Sequence, residues 1–192
     1  MLVVLHGHAS SPADAAEFAE QIDPSREFHH VIPAGPLTVD GGLAWFDDAP
    51  ESILEAAETV AALLRGLVED QPASVVAVGY SQGAAALLAA LTCPTAAAAP
   101  LAGIACVSGF LPDPPLREWA LERLRGVEVL VQHGRHDEVV PAFVAGDLVA
   151  LLEGVKAHVR FDELDIGHQR TPESIAALRD WVVSLDLAPH PR

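Results

Sequence analysis

The chain has 192 residues, of which 51% are hydrophobic and 20% are charged, and its formal net charge is −16 at pH 7. This length fits a single domain with a full core, and the apolar content excludes a disordered chain. The excess of acidic residues argues against binding to nucleic acid or to an anionic membrane surface, because both depend on basic side chains.

Short β-branched runs alternate with longer helical patterns. Strands are predicted at Leu2–His6, His29–Pro33, Ser74–Gly79, Ala102–Ser108, Val127–His133 and Ala157–Leu164. Helices are predicted at Pro12–Gln21, Glu51–Asp70, Gln82–Leu91, Leu116–Arg125, Ala142–Leu152 and Pro172–Leu185. This alternation predicts right-handed βαβ units, and so an α/β fold with six mostly parallel strands and helices on both faces. We expect one domain over residues 1–187 and a frayed tail over 188–192.

The N-terminal apolar run has no basic residue before it and is too short for a signal peptide. No charged residue lies between Asp70 and Asp113, but glycines and prolines divide that stretch into pieces shorter than a membrane span. Cys93 and Cys106 lie in apolar surroundings and predict buried free thiols rather than a disulfide framework. A cytoplasmic protein is expected.

The segment from Ala34 to Pro50 is predicted to be a long loop. It contains a Gly41-Gly42 pair and the aromatic residues Trp45 and Phe46. Long loops in compact domains are usually functional or disordered, so this one is a candidate part of a binding site.

The sequence Gly79-Tyr80-Ser81-Gln82-Gly83 has the form G-x-S-x-G. It directly follows an apolar strand and directly precedes an alanine-rich helix, which is the strand–turn–helix setting of a nucleophile elbow. Such a turn strains the serine backbone so that its hydroxyl points outward, while the glycines allow strand and helix to pack closely. Ser81 is therefore the candidate nucleophile.

A serine hydroxyl needs a base that an acid holds in place. Asp137 follows the predicted strand 127–133, and His168 follows the predicted strand 157–164. Ser81, Asp137 and His168 stand in the Ser…Asp…His order of α/β hydrolases, each at the carboxyl end of a strand. The backbone N–H groups of Gln82 and His8 are placed to stabilise an oxyanion, since they follow the nucleophile and the first strand.

Other residues compete for these roles. Glu138 is the alternative to Asp137 as the acid, and three further carboxylates precede the candidate base: Asp162, Glu163 and Asp165. As a base, His133 or His136 would reverse the usual order of acid and base. A metal site is a further alternative, although no spacing resembles a zinc motif, and its candidate ligands are His6, His8, His133, His136 and His168.

Four motifs together resemble the phospholipase/carboxylesterase family of α/β hydrolases, which includes small carboxylesterases and acyl-protein thioesterases. They are His6-Gly7, the pentapeptide around Ser81, the segment His133-Gly134-Arg135-His136-Asp137, and Gly167-His168. The Trp45-Phe46-Asp47 segment is also similar to a tryptophan-containing segment of that family. Where family members often have Leu and then Gly-Asp after the His-Gly pair, this chain has His8-Ala9-Ser10.

The resemblance implies a capless serine esterase with the strand order 2-1-3-4-5-6. Ser81 would be the nucleophile, Asp137 the acid and His168 the base, with no cofactor or metal. The expected partner is a small to medium carboxylic ester, in a pocket formed by Trp45, Phe46 and Phe110, and a homodimer is possible. Thioester or lysophospholipid cleavage would use the same mechanism. The alternative from another class is a non-catalytic ligand-binding module on this fold.

Overall fold

The protein is described here from a computed structural model covering residues 1–69, 75–96, 101–113, 118–185 and 187. Its central sheet contains six parallel strands: β1 (Leu2–Leu5), β2 (His30–Val31), β5 (Val76–Tyr80), β6 (Gly103–Val107), β7 (Glu128–Gly134) and β8 (His158–Leu164). They are ordered β2-β1-β5-β6-β7-β8, which confirms the predicted order. Four neighbouring pairs follow one another in the sheet's chain order: β1 and β2, β5 and β6, β6 and β7, and β7 and β8. Each pair is parallel, so a crossover connects its two strands.

Five α-helices cover the sheet in the described part of the chain: α1 (Pro12–Ile22), α2 (Pro50–Val68), α3 (Gln82–Thr92), α4 (Ala142–Gly154) and α5 (Pro172–Ser184). Helices α2, α3 and α4 share one apolar cluster with the sheet, and α1 and α5 share the cluster on the opposite face. The single-domain α/β architecture is therefore confirmed.

Local sequence explains where several helices begin. Ser11 caps α1, because its side-chain oxygen accepts a hydrogen bond from the amide of Asp14, and Pro12 follows at the first helical position. Thr171 and Ser174 form a reciprocal capping box at the start of α5. Helix α3 has no polar face, and all of its residues are buried, so it forms the centre of one layer.

Two predicted elements differ from the structure. The expected loop 34–50 contains an antiparallel hairpin formed by β3 (Leu37–Val39) and β4 (Gly42–Ala44). The turn requires glycine, since Gly41 has φ of 92° and a Cβ on Gly42 would lie 2.3 Å from the Ser10 carbonyl oxygen. The predicted helix Leu116–Arg125 is only a 3₁₀ turn at Leu121–Leu124 where the structure describes it.

The sequence also led to predictions about the two cysteines, a membrane span and the C-terminal tail. Cys93 and Cys106 are buried and free, as predicted. Within the described residues no helix is both long and apolar enough to cross a membrane. The predicted frayed tail 188–192 lies outside the described residues.

Candidate active site

Ser81 lies at the sharp turn between β5 and α3. Its backbone has φ of 53° and ψ of −121°, a conformation that a non-glycine residue rarely adopts. The strain is held by hydrogen bonds, because the Ser81 amide donates to the Val107 carbonyl at 2.8 Å and its carbonyl accepts from the Ala84 amide at 2.9 Å. A Cβ on Gly79 would lie 2.4 Å from the backbone of Ala84, so only glycine fits there. The turn has the geometry expected of a nucleophile elbow.

A chain of two hydrogen bonds joins Ser81, His168 and Asp137. The Nε2 atom of His168 lies 3.0 Å from the Ser81 Oγ, and its Nδ1 lies 2.7 Å from Oδ2 of Asp137. Because an ionised carboxylate can only accept, Nδ1 carries the hydrogen and Nε2 is free to accept the serine proton. The Asp137 side chain is fully buried, whereas that of His168 is 17% exposed. The structure thus brings together three residues that are 31 and 87 positions apart.

Asp137 is fixed by its own turn. Its Oδ1 accepts hydrogen bonds from the amides of Val139 at 2.9 Å and Val140 at 2.8 Å, which leaves Oδ2 for His168. His133 lies behind this turn, with its buried Nε2 donating to the Val140 carbonyl at 2.8 Å. The ring therefore braces the loop that carries the acid.

The competing carboxylates lie elsewhere. The side chain of Glu138 is exposed and makes no hydrogen bond to a described residue. The three others are paired with basic side chains outside the site, in the pairs Arg160–Asp162, Arg135–Glu163 and His136–Asp165. Asp137 is the carboxylate that reaches His168.

Tyr80 holds the segment that carries His168. Its hydroxyl donates to the His168 carbonyl at 2.8 Å, and the two ring centroids are 5.4 Å apart. Burial raises the pKa of Tyr80, so the phenol stays a donor at neutral pH. The Arg170 guanidinium lies 5.0 Å from the centroid of the Tyr80 ring on the same segment. The elbow residue before the serine therefore positions the candidate base.

The backbone N–H groups of Gln82 and His8 are the two predicted oxyanion donors. Neither N–H donates to a backbone or side-chain acceptor among the described residues. The loop after β1 approaches the elbow closely because Gly7 has no side chain: a Cβ there would lie 3.2 Å from Tyr80 Cδ1 and 3.5 Å from Ser81 Cβ. The His8 side chain is exposed.

A cavity of about 840 Å³ opens beside these amides and includes His8 and Gln82 in its lining. Of the three residues predicted for the pocket, Phe46 and Phe110 line this cavity. Trp45, the third residue predicted for the pocket, does not. Its side chain is 2% exposed, and its indole N–H donates to the His6 carbonyl at 2.8 Å. Trp45 is a structural support behind the pocket wall, not part of its surface.

The family model described as phospholipase/carboxylesterase matches residues 1–185. The chain belongs to the phospholipase/carboxylesterase family. Among curated proteins, none matches the sequence.

Solved structures of similar fold include two bacterial carboxylesterases. The Mesorhizobium loti enzyme aligns over 95% of this chain and 88% of its own, with a TM-score of 0.82 and 22% identity. The Bacillus cereus enzyme aligns over 94% and 86%, with a TM-score of 0.79 and 23% identity. SOBER1 of Arabidopsis thaliana aligns over 95% and 96%, with a TM-score of 0.76 and 22% identity. The family match and these folds identify the chain as a hydrolase of the α/β-hydrolase fold.

Within this family member, Gln82 has a side-chain contact that the sequence did not predict. Its Oε1 accepts from the Trp45 amide at 2.9 Å, and its Nε2 donates to the Phe46 carbonyl at 2.7 Å. The amide group thus clamps the segment after β4 to the start of α3. A polar side chain at the first position of an otherwise apolar helix is the sequence signal that could have indicated it.

His6, a metal-ligand candidate in the sequence, is held by backbone groups instead. Its Nδ1 lies 2.7 Å from the Gly7 carbonyl, and its Nε2 accepts from the Gly35 amide at 2.9 Å. One ring nitrogen thus fixes the loop after β1, and the other fixes the segment before the hairpin. Across the residues that the structure describes, no three or more His, Cys, Asp and Glu side chains form a group that could hold a metal ion.

Proposed function

We propose that this hydrolase cleaves small to medium carboxylic esters through an acyl-enzyme on Ser81. The observation that supports the proposal most is the continuous hydrogen-bond chain from Ser81 Oγ through His168 to the buried Asp137. In this reading Ser81 is the nucleophile, His168 the general base and then acid, and Asp137 the group that orients the imidazole.

The reaction begins when Ser81 Oγ attacks the ester carbonyl carbon and its proton moves to Nε2 of His168. The carbonyl oxygen becomes an oxyanion, which the N–H groups of Gln82 and His8 would stabilise. The tetrahedral intermediate collapses, the C–O bond breaks, and His168 passes the proton to the leaving alcohol. Water then repeats the attack on the acyl-serine and releases the acid. The net change is ester plus water to acid plus alcohol.

The arrangement of Asp137 supports its role as the orienting group. Its two oxygens have separate partners, the amides of Val139 and Val140 on one and His168 on the other. The imidazole is therefore held in the tautomer that can accept the Ser81 proton, and the imidazolium formed during the reaction faces a buried carboxylate.

Thioester and lysophospholipid cleavage would use the same residues, so the choice among these substrates is a question for the cavity rather than for the hydrogen-bond chain. Esters of graded acyl length with a shared p-nitrophenyl leaving group, compared with matched thioesters, separate these classes. The cytoplasmic location and the homodimer stay predictions from the sequence.

The test of the mechanism is Ser81→Ala. We expect kcat for p-nitrophenyl butyrate to fall by about 10⁴–10⁶-fold, with an unchanged circular dichroism spectrum, and labelling by a fluorophosphonate probe to be lost. Ser108→Ala is the matched control, because Ser108 is also buried and also has a positive φ, of 48°, at the end of the neighbouring strand. Activity within tenfold of wild type in Ser81→Ala, or activity abolished by EDTA, would refute the proposal.

A further inference from the structure

The cavity beside the candidate oxyanion amides carries negative charge. Its lining includes the carboxylates Asp47, Asp48 and Asp113, and no lysine or arginine among the described residues that form it. All three carboxylates are exposed at the cavity, and none forms an ion pair with a described residue. We propose that this site selects esters that carry an ammonium group, and that these three aspartates provide the selection. This inference rests on the proposed function.

Two of the carboxylates, Asp47 and Asp48, follow a segment that is fixed in place, and the Asp47 carboxylate itself accepts a hydrogen bond. The residues just before them are clamped to the site, since Gln82 bonds the amide of Trp45 and the carbonyl of Phe46. Asp47 is then held at the start of α2, where its amide donates to Ser52 Oγ at 3.1 Å and its Oδ1 accepts from the Ala49 amide at 2.9 Å. Its other carboxylate oxygen is left for a ligand.

The third carboxylate comes from a different segment. Asp113 ends the stretch that begins with Phe110 on the cavity wall. This stretch is tied down because the indole N–H of Trp119 donates to the Pro112 carbonyl at 2.7 Å, in a buried position. Carboxylates from two separately anchored segments therefore line one cavity, and a cation inside it would be attracted by both.

The remaining lining fits the organic part of such a cation. Two aromatic rings, Phe46 and Phe110, line the same cavity as the carboxylates, together with the aliphatic side chains of Ile53, Val140 and Val144. An aromatic face attracts a quaternary ammonium through its quadrupole, and its apolar surface contacts the methyl groups. Aromatic rings with nearby carboxylates suit an alkylammonium better than a plain aliphatic chain.

The overall charge of −16 acts in the same direction. A negative field concentrates cationic substrates near the site and repels anionic ones, and salt screens this steering. An ester with a carboxylate or phosphate group would have no lysine or arginine to pair with among the described residues that line the cavity. The expected order of preference is cationic, then neutral, then anionic.

The experiment compares esters that differ in charge but little in shape. On the acyl side, three p-nitrophenyl esters are compared. Those of 4-(trimethylammonio)butanoic acid and 5,5-dimethylhexanoic acid are cationic and neutral, and the monoester of glutaric acid is anionic. On the alcohol side, butyrylcholine is compared with 3,3-dimethylbutyl butyrate, its uncharged isostere. Rates are corrected for uncatalysed hydrolysis and measured at about pH 8, where an ordinary histidine is neutral.

We expect kcat/KM to be about tenfold higher for the cationic ester than for its neutral isostere in at least one pair, and about tenfold lower for the anionic ester. The triple variant Asp47→Asn, Asp48→Asn, Asp113→Asn should reduce each difference to about threefold or less. About 0.5 M NaCl should reduce it in the wild type as well.

The control variant removes the same charge from the side of the sheet where the strands begin, away from the cavity. Glu27, Glu69 and Glu153 are exposed, lie before β2 or at the ends of α2 and α4, and are not part of the cavity. Their triple change to Gln should leave the order of preference intact. If neither isosteric pair shows a preference for the cation, or if the control variant removes it as fully as the aspartate variant, the inference is overturned.

The outcome separates this inference from the proposed function. Ser81-dependent hydrolysis of the neutral esters without charge selection would overturn the inference and leave the serine mechanism standing. Hydrolysis that survives in Ser81→Ala would overturn the mechanism itself, whatever the charge preference of the cavity.

Discussion

The exchange of Asp137 for Asn tests the site most sharply, because the structure determines which way the new amide must face. Oδ1 of Asp137 accepts two backbone N–H groups, from Val139 and Val140, so the single oxygen of Asn is required there. The NH₂ group is then left at the position of Oδ2, which lies 2.7 Å from Nδ1 of His168.

Two donors cannot face each other at that distance, so the imidazole must change tautomer. Nδ1 becomes the acceptor, and Nε2 carries the hydrogen that now points at the Ser81 hydroxyl. The base can no longer accept the serine proton, and kcat should fall by about 10⁴-fold. This loss corresponds to about 5 kcal/mol of transition-state stabilisation.

The assay is steady-state hydrolysis of p-nitrophenyl butyrate by Asp137→Asn and by Glu138→Gln. Glu138 is the adjacent, exposed carboxylate, and its variant should stay within about threefold of wild type. Thermal unfolding followed by circular dichroism shows whether either variant is misfolded. A larger loss in Glu138→Gln, or equal losses in both, would refute the assignment of Asp137 as the orienting acid.

Three further predictions concern packing, the clamp and pH. A Cβ on Gly83 would lie 2.4 Å from the Leu5 carbonyl oxygen, so Gly83→Ala should destabilise the protein by about 1–3 kcal/mol in urea unfolding. Gly146 lies inside α4, where an added Cβ would have no neighbouring atom within 4 Å, so Gly146→Ala should instead stabilise the protein by about 0.5–1 kcal/mol. Stabilisation by Gly83→Ala and destabilisation by Gly146→Ala would contradict the packing of the elbow. Gln82→Glu removes the N–H donor to the Phe46 carbonyl. It should raise KM for a hexanoate ester about tenfold and leave kcat within about threefold of wild type. An unchanged KM would show that this hydrogen bond does not shape the cavity. Burial acts to raise the pKa of Asp23, but hydrogen bonds from the Phe28 and Glu27 amides and from His30 hold that pKa below its usual value. The ionised Asp23 therefore stabilises the fold at neutral pH, and its advantage over Asp23→Asn should shrink as the pH falls from 3.8 through the lowered folded-state pKa; a difference that grows in acid would contradict this.

The sequence was enough to predict the six core strands, because the runs that form β1, β5 and β6 are almost wholly apolar and turn residues bound the other three. Their order was an implication of the resemblance to the family. The places of Ser81, Asp137 and His168 at strand ends also followed from the chain, since parallel strands present their carboxyl ends at one edge. The hairpin β3–β4 was missed because its strands have three residues each, too few to show a period.

The side chains that support the site were harder to predict, because their contacts depend on packing between distant segments. Trp45 looked like a pocket residue from its place in a loop, yet it packs against His6 with ring centroids 5.0 Å apart. Gln82 was assigned a backbone role alone, and its side chain proved to bridge 36 and 37 positions to the segment after β4. The polar residue at the start of an apolar helix marks Gln82 as unusual, but the local pattern does not indicate which distant groups it contacts.

The separation of the site residues along the chain has a consequence for folding. Ser81 follows a central strand, but its candidate base is supplied 87 positions later from beyond β8, a strand at the edge of the sheet. A refolding chain can complete the elbow once β1, β5 and β6 have paired, whereas the serine and imidazole meet only after the crossover to β8 has closed. Recovery of esterase activity after dilution from denaturant should therefore trail the recovery of helical circular dichroism. Reactivity towards a fluorophosphonate during refolding would then measure when the segment after β8 docks against the elbow.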